Sequence, residues 1–301
     1  MTSKFFAWFA GRPYVAACCF MLVSACGFSA MNVAVRYLSH ELDATLIVAL
    51  RNFLTLLLLI PAALHMGKKL VYTTRLKDHV TRGAIGAVGM MTWTYCLTIM
   101  PTNTATALSF TAPLFATLFA VLFLKEKANR TLWLALFIGF AGSIIIVHPS
   151  PQDFDWNSLL VMFATSAWAI VGLLVKSLTR TEPALRIVFY MNLIMFLIAL
   201  PFGIYHWQMP STEAWMVLAF IALCSITMHF SLAKAYALAP VASLMPLDFT
   251  RLIYTAIFAY LVFGETSDLA TWVGGAIILA AGLLSTRANR RDAKAAPLGP
   301  E

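Results

Sequence analysis

Apolar runs of about 20 residues recur along the whole chain, each closed by a short polar stretch. A helix of about 20 residues crosses the hydrocarbon core of a bilayer. The pattern predicts ten spans, at approximately 13–36, 44–64, 80–100, 102–124, 131–148, 157–178, 183–204, 212–238, 241–263 and 268–286. Helices are expected because a lipid-exposed backbone must satisfy its own hydrogen bonds. The first run, Tyr14 to Val35 behind Lys4 and Arg12, is longer than the apolar stretch of a signal peptide. It reads as a retained first helix.

Polar positions between the runs give an orientation. Lys4, Arg12, Lys68, Lys69, Arg75, Lys77, Arg82, Lys125, Lys127, Arg130, Lys176, Arg180, Arg186, Lys234, Arg287, Arg290, Arg291 and Lys294 all fall on one side of the predicted layout. These are 18 of the 21 Lys and Arg residues. Alternate loops carry Glu41, Asp43, Asp153, Asp155, Glu213, Glu265 and Asp268, with Arg36 at an edge. Basic loops stay in the cytoplasm. Both termini are therefore expected there, with an even number of spans.

Composition narrows the class. The chain is 61% hydrophobic and 11% charged over 301 residues, whereas soluble domains carry about 25% charged residues. A multi-pass membrane protein in contact with the lipid bilayer is expected, with no soluble domain. The net charge of +8 follows from basic loops and implies no nucleic-acid partner. Cys18, Cys19, Cys26, Cys96 and Cys224 all lie in apolar runs without metal-ligand spacing, so they read as packing residues and no metal or cofactor is expected.

The two halves repeat. "PTNTATALSFTAPLFATLFAVLFLKE" (101–126) aligns with "PVASLMPLDFTRLIYTAIFAYLVFGE" (240–265) at an offset of 139. Pro101 meets Pro240, Phe110–Thr111 meets Phe249–Thr250, Phe119 meets Phe258, Glu126 meets Glu265 and Trp133 meets Trp272. Earlier in each half the offset is 140, pairing Arg36 with Lys176, Asn52 with Asn192 and Pro61 with Pro201. Five spans per half is an odd number, so the second half enters the membrane inverted. Inverted repeats are an architecture of secondary transporters, whose site lies near the midplane where the repeats meet.

These repeats, with "ALSFTAPLFATLFAVLFLKE" and "PLDFTRLIYTAIFAYLVFGE" closing spans four and nine and "ALRNFLTLLLLIP" in span two, resemble the EamA domains of the drug/metabolite transporter superfamily. The resemblance covers nearly the whole chain. It implies an all-α membrane fold of ten helices, two inverted five-helix repeats around a central cavity. The expected units are 13–148, 157–286 and a cytoplasmic tail 287–301. It also implies movement of small metabolites across the bacterial inner membrane. Similar members carry amino acids, nucleobase or sugar derivatives, riboflavin, S-adenosylmethionine or amino-acid-derived metallophores.

Ionisable groups deep in a bilayer usually face a cavity or a partner. Arg51, Asp248 and Arg251 stand well inside predicted spans. Asp248 and Arg251 are three apart and share a helix face, so they can simply neutralise each other. Their repeat equivalents are Ser109 and Ala112, so the repeat itself needs no charge pair. A substrate role is the leading reading. Arg51, opposite Met191 in the repeat, reads equally as a substrate residue or as an interhelical partner. Arginine suits a carboxylate, and Asp248 suits a substrate ammonium or a coupling proton. Trp168 and Tyr95 are further substrate candidates, set among small residues. Trp93, Tyr190, Tyr254, Asn32, Asn52 and Asn192 are weaker ones, with Asn32 and Asn52 reading equally as interhelical hydrogen bonds. His229 is a candidate proton relay, or a hydrogen-bonded interior residue. Glu126 and Glu265 read as span boundaries. Gly83, Gly86, Gly89, Gly139 and Gly142 read as close-approach sites.

No GxSxG, HExxH, paired intramembrane aspartates or GxxxxGK[ST] loop occurs, so no enzyme and no ATP-driven pump is expected. The expected function is secondary transport, by alternating access, of a small zwitterionic or anionic amino-acid-like metabolite, with a proton or counter-substrate as a candidate coupling partner. Export of an amino acid derivative or opine-type metallophore leads. Import of riboflavin or S-adenosylmethionine is the alternative, and a non-transporting scaffold or receptor is the rival class.

Overall fold

The computed structural model describes residues 13–99, 108–109, 111–126, 128–147, 158–264 and 269–295, with residues 69, 94–95, 97–99, 146–147, 271 and 285–295 described by backbone alone. The termini with Lys4 and Arg12, and the residues Pro101, Phe110, Lys127, Asp153, Asp155, Glu265 and Asp268, lie outside these.

Among the described residues there are thirteen helices and no strand. In chain order they are α1 (Pro13–Leu38), α2 (Ala44–Leu58), α3 (Ile60–Met66), α4 (Lys68–Val71), α5 (Leu76–Ile99), α6 (Ala112–Leu124) and α7 (Arg130–Val147). The second half supplies α8 (Ser158–Leu178), α9 (Ala184–Tyr205), α10 (Thr212–Leu238), α11 (Val241–Asp248), α12 (Arg251–Phe263) and α13 (Leu269–Ala295). Long apolar spans are formed by α1, α8, α9, α10 and the α11–α12 stretch. The α2–α3 pair makes a sixth, and shorter apolar helices lie within α6, α7 and α13. With α5 they supply a helix for each of the ten expected spans.

One span is bent, and another tightens within its length. Span two bends by 40° between α2 and α3, where Leu59 closes one helix and Pro61 opens the next. Proline fits the first turn because that amide has no intrahelical acceptor. Its counterpart Pro201 lies inside an unbroken α9. Span nine changes helix at Phe249–Thr250. There the Thr250 N–H donates to the Leu247 carbonyl (3.1 Å) and the Leu252 N–H to Phe249 (3.1 Å). These i→i−3 bonds tighten the chain into a 3₁₀-like turn.

The repeat seen in the sequence is also a repeat of hydrogen bonds. The α1–α2 corner places the Ser39 N–H on Val35 O (2.9 Å) and the Glu41 N–H on Leu38 O (3.0 Å). The α8–α9 corner places Thr179 on Val175 (2.9 Å) and Thr181 on Leu178 (3.1 Å), 140 residues later. One corner belongs to an end of the bundle carrying Glu41, Asp43 and Glu213, hereafter the acidic end. The other belongs to the basic end, with Arg75, Lys77 and Arg180. Equivalent corners at opposite ends are the mark of inverted repeats.

Packing interleaves the halves. The repeat-equivalent pairs α1–α10 and α5–α8 both lie in contact, as do α1–α12 and α6–α8. Helix α2 packs on its own counterpart α9, and α7 on its counterpart α13. Each half therefore finds its main neighbours in the other. In lipid this packing rests on close van der Waals fit, since tails are as apolar as leucine. At α7–α13 a Cβ on Gly142 would lie 2.9 Å from the Gly274 carbonyl oxygen, and where α7 meets the α11–α12 turn a Cβ on Gly139 would lie 2.7 Å from the Phe249 ring. Large apolar side chains such as Leu122, Phe123, Leu261 and Leu283 are left on the perimeter, where lipid covers them.

Both ends are tied across the halves. At the acidic end the Ser211 N–H and hydroxyl donate to the Glu41 carboxylate at 2.8 and 3.0 Å. At the basic end Thr73 donates to Glu182 at 2.6 Å, and Arg75 donates to the Ser177 carbonyl and hydroxyl, both at 2.8 Å.

Candidate functional site

The break in span nine places Asp248 as the last residue of α11 and Arg251 as the first of α12. Arg251 Nη1 lies 3.4 Å from Asp248 Oδ2, with side chains 12% and 22% exposed. Helix C-termini favour cations and N-termini favour anions. Each charge sits at the end that does not favour it, so the pair does not act as a cap. The Arg251 guanidinium also lies 5.3 Å from the centre of the Phe28 ring on α1, a cation–π contact. Ser29 donates its hydroxyl to the Arg251 carbonyl at 2.6 Å, fixing α12 against α1.

Arg51 reaches the same face of α1, because Phe28 and Met31 are three residues apart. Its Nη1 lies 3.7 Å from Met31 Sδ, its Nη2 lies 3.8 Å from Met90 Sδ on α5, and its Nε has no hydrogen-bond partner. A thioether is a weak acceptor. A charged side chain at mid-membrane costs about 3 kcal/mol even on the gentlest scale. Arg51 forms no ion pair among the described residues, so its charge is poorly compensated. It keeps part of its surface accessible although it lies deep in the bundle, as His229, Asp248 and Arg251 do.

His229 lies on α10 with Arg51 and Arg82 as its charged neighbours. Trp168 on α8 packs on Trp93 of α5, ring centres 5.3 Å apart, and across Gly89. That places it beside Met90, one helical position from the Arg51 contact. Tyr95 is helical in backbone, and its side chain lies outside the described residues.

Several expectations change. Asn52 and Asn192, both buried, donate to their own helices, at Val48 O and Val188 O, each at 2.8 Å. They are equivalent helix-internal bonds and not interhelical ones. Asn32 is exposed. Tyr190 stacks on His79 (4.5 Å) and donates to the Val71 carbonyl at the basic end, away from the centre. Glu126 does more than mark a boundary. Its two carboxylate oxygens accept the Val241 and Ala242 N–H groups, both at 3.0 Å, and so cap α11. A carboxylate at a helix N-terminus meets unpaired donors and the positive end of the dipole.

Arg82 was counted among the flanking basic residues, yet it is 3% exposed. Its Nη1 donates to the Ile187 carbonyl (3.2 Å), its Nη2 lies 3.0 Å from Met191 Sδ, and its Nε is unpartnered. Met191 is the repeat counterpart of Arg51. Helical spacing gave a signal: Arg82, Gly86, Met90 and Trp93 fall on one face of α5. An apolar cavity of 220 Å³ adjoins this region, lined in part by Val48, Met90, Met195 and Ala199. Among the described residues no cluster of His, Cys, Asp and Glu is arranged to hold a metal.

The EamA-like transporter family matches the chain twice, over residues 15–148 and 155–287. An S-adenosylmethionine uptake transporter of Rickettsia prowazekii is 30% identical over 281 residues, 93% of this chain and 96% of that protein. A riboflavin transporter of Brucella anthropi is 31% identical, covering 91% of this chain and 100% of that protein. The pseudopaline exporter CntI of Pseudomonas aeruginosa is 26% identical over 87% of this chain and 93% of that protein. One solved crystal structure superposes with a TM-score of 0.73 at 15% identity, covering 89% of this chain and 98% of that one. It shares the fold.

Proposed function

The chain belongs to the EamA-like transporter family, and from that premise we propose that it carries an amino-acid-type metabolite with a carboxylate and a cationic group. Transport of a small metabolite across a bacterial membrane is common to its named relatives. The narrower reading rests on one observation: Asp248 and Arg251 present opposite charges beside Arg51 on the same face of α1. An arginine fork suits a carboxylate and an aspartate suits an ammonium. S-adenosylmethionine has both groups, and it is the substrate in the name of relatives at about 30% identity. Uptake is therefore the first direction to test.

A second reading, export of a multi-carboxylate product, draws on the excess of guanidinium over carboxylate in this region and on the pseudopaline exporter. Basic residues on one side of the layout support cytoplasmic termini and an inner-membrane location. Alternating access would break the tie at one end while the other holds. Because α1 packs on α10 and α5 on α8, the moving bodies would mix helices of both repeats rather than follow the sequence halves.

Proteoliposomes test this. Labelled S-adenosylmethionine is expected to enter by counterflow, with riboflavin as comparator. Folded Asp248→Asn and Arg251→Gln proteins are each expected to lose transport by at least about tenfold, the equivalent of ~1.4 kcal/mol. Full transport by both would remove the site assignment. Absence of any substrate-dependent flux across the named metabolites would favour a receptor or scaffold.

A further inference from the structure

Two guanidinium groups deep in the bundle, on α2 and α5, are under-satisfied in the same way. Arg51 on α2 meets the sulfurs of Met31 and Met90, with Nε unpartnered. Arg82 on α5 meets the Met191 sulfur and one carbonyl, with Nε unpartnered. Neither has a carboxylate partner among the described residues. Asp248 is engaged by Arg251, and Glu182 by Thr73 and Arg186.

The inverted repeat relates the two positions. Arg51 and Met191 are equivalent residues, the eighth of α2 and the eighth of α9, entered from opposite ends. Arg82 Nη2 lies 3.0 Å from Met191 Sδ. A cation is therefore supplied near both symmetry-related places, once by the residue itself and once by a neighbour reaching in from α5. His229 on α10 has both arginines among its charged neighbours. An ionisable group inside a membrane bundle is costly and marks a functional site by default.

We propose that Arg82 is a second anion-binding station of the transport path, taking the substrate's carboxylate on the basic-end side of the midplane as Arg51 takes it on the acidic-end side. The inference rests on the reading of Arg51 as a substrate residue and extends it to a residue that lies outside the Asp248–Arg251 pair. The carboxylate exchanges between Arg51 and Arg82 as access alternates. Substrates without an anionic group are disfavoured at both stations.

The test uses purified full-length protein in detergent and glutarate as the probe, with glutaramide at matched ionic strength as the neutral isostere. Thermal unfolding reads binding, because a ligand selective for the native state raises the apparent Tm. Glutarate, and not glutaramide, is expected to raise the wild-type Tm by about 3 °C. Arg82→Gln keeps a donor for the Ile187 carbonyl without the charge. It is expected to lose roughly half of that shift, as is Arg51→Gln, and the double variant all of it. Arg82→Lys should restore most of it. A full shift in Arg82→Gln, with the shift abolished in Arg51→Gln, would make Arg82 structural and leave the central site standing. A shift abolished by Arg82→Gln alone would keep the station and remove Arg51 from the path. No glutarate-specific shift in wild type overturns the proposal.

Discussion

Spans four and nine occupy equivalent places in the two repeats, and their backbones agree closely. Thr111 and Thr250 each donate a side-chain hydroxyl to the carbonyl three residues back, both at 2.6 Å. The backbone N–H groups of Phe115 and Tyr254 bond to those threonines at 3.0 and 3.2 Å. Each helix ends in a left-handed residue, Lys125 at φ 55° and Gly264 at φ 68°. The chemistry differs. Span nine carries Asp248 and Arg251 where span four carries Ser109 and Ala112. The turn therefore belongs to the architecture, and the charge pair is added to it.

The widest gap should appear on removing one charge. Arg251→Gln leaves the partly buried Asp248 without its cation, and stability should fall by about 1–3 kcal/mol. Asp248→Asn/Arg251→Gln together should recover most of that while transport stays lost. Ser109→Ala in span four should change stability by less than ~1 kcal/mol. Chemical denaturation with a transport assay on the same preparations separates the outcomes. If the double variant transports normally, the charges serve only each other.

A smaller effect concerns how the spans hold one another. Glu126 closes span four and caps the start of span nine. Glu126→Ala should cost about 1–2 kcal/mol, and Glu126→Gln less, read as thermal unfolding. An unchanged midpoint for both would dismiss the cap.

The smallest prediction makes the two ends alike. Lys125 adopts a backbone conformation that glycine takes without strain. Lys125→Gly should therefore stabilise by about 0.5–1 kcal/mol, and Gly264→Ala should destabilise by a similar amount. A loss of stability in Lys125→Gly would show that the lysine side chain outweighs the strain.

The repeat was legible in the sequence because the marks it leaves are local. Pro61 and Pro201, Asn52 and Asn192, and Thr111 and Thr250 each serve their own helix or turn, so their spacing survives in the chain. The charge pair was legible for the same reason, as two residues one turn apart on an apolar helix. Arg82 was misread because its burial is made by α9, more than a hundred residues away, whereas a lone arginine near a helix start looks like a flank that snorkels to water. The work of Glu126 was hidden likewise, since its partners are 115 and 116 residues distant. Asn52 read equally as a cavity residue or an interhelical partner; its amide instead returns to the preceding turn, which a sequence pattern does not distinguish.

The interleaved packing of the halves bears on how the protein is made. Helices leave the ribosome in order and enter the bilayer one after another, yet α1 is destined for α10, α2 for α9 and α7 for α13. The first five spans thus wait in lipid with their eventual contact faces exposed to acyl chains, and with Arg51 and Arg82 inserted before the helices that will enclose them. Completion of the second half is the event that brings these helices into one assembly. Synthesis arrested midway leaves an inserted but unassembled chain, the form that membrane quality control recognises.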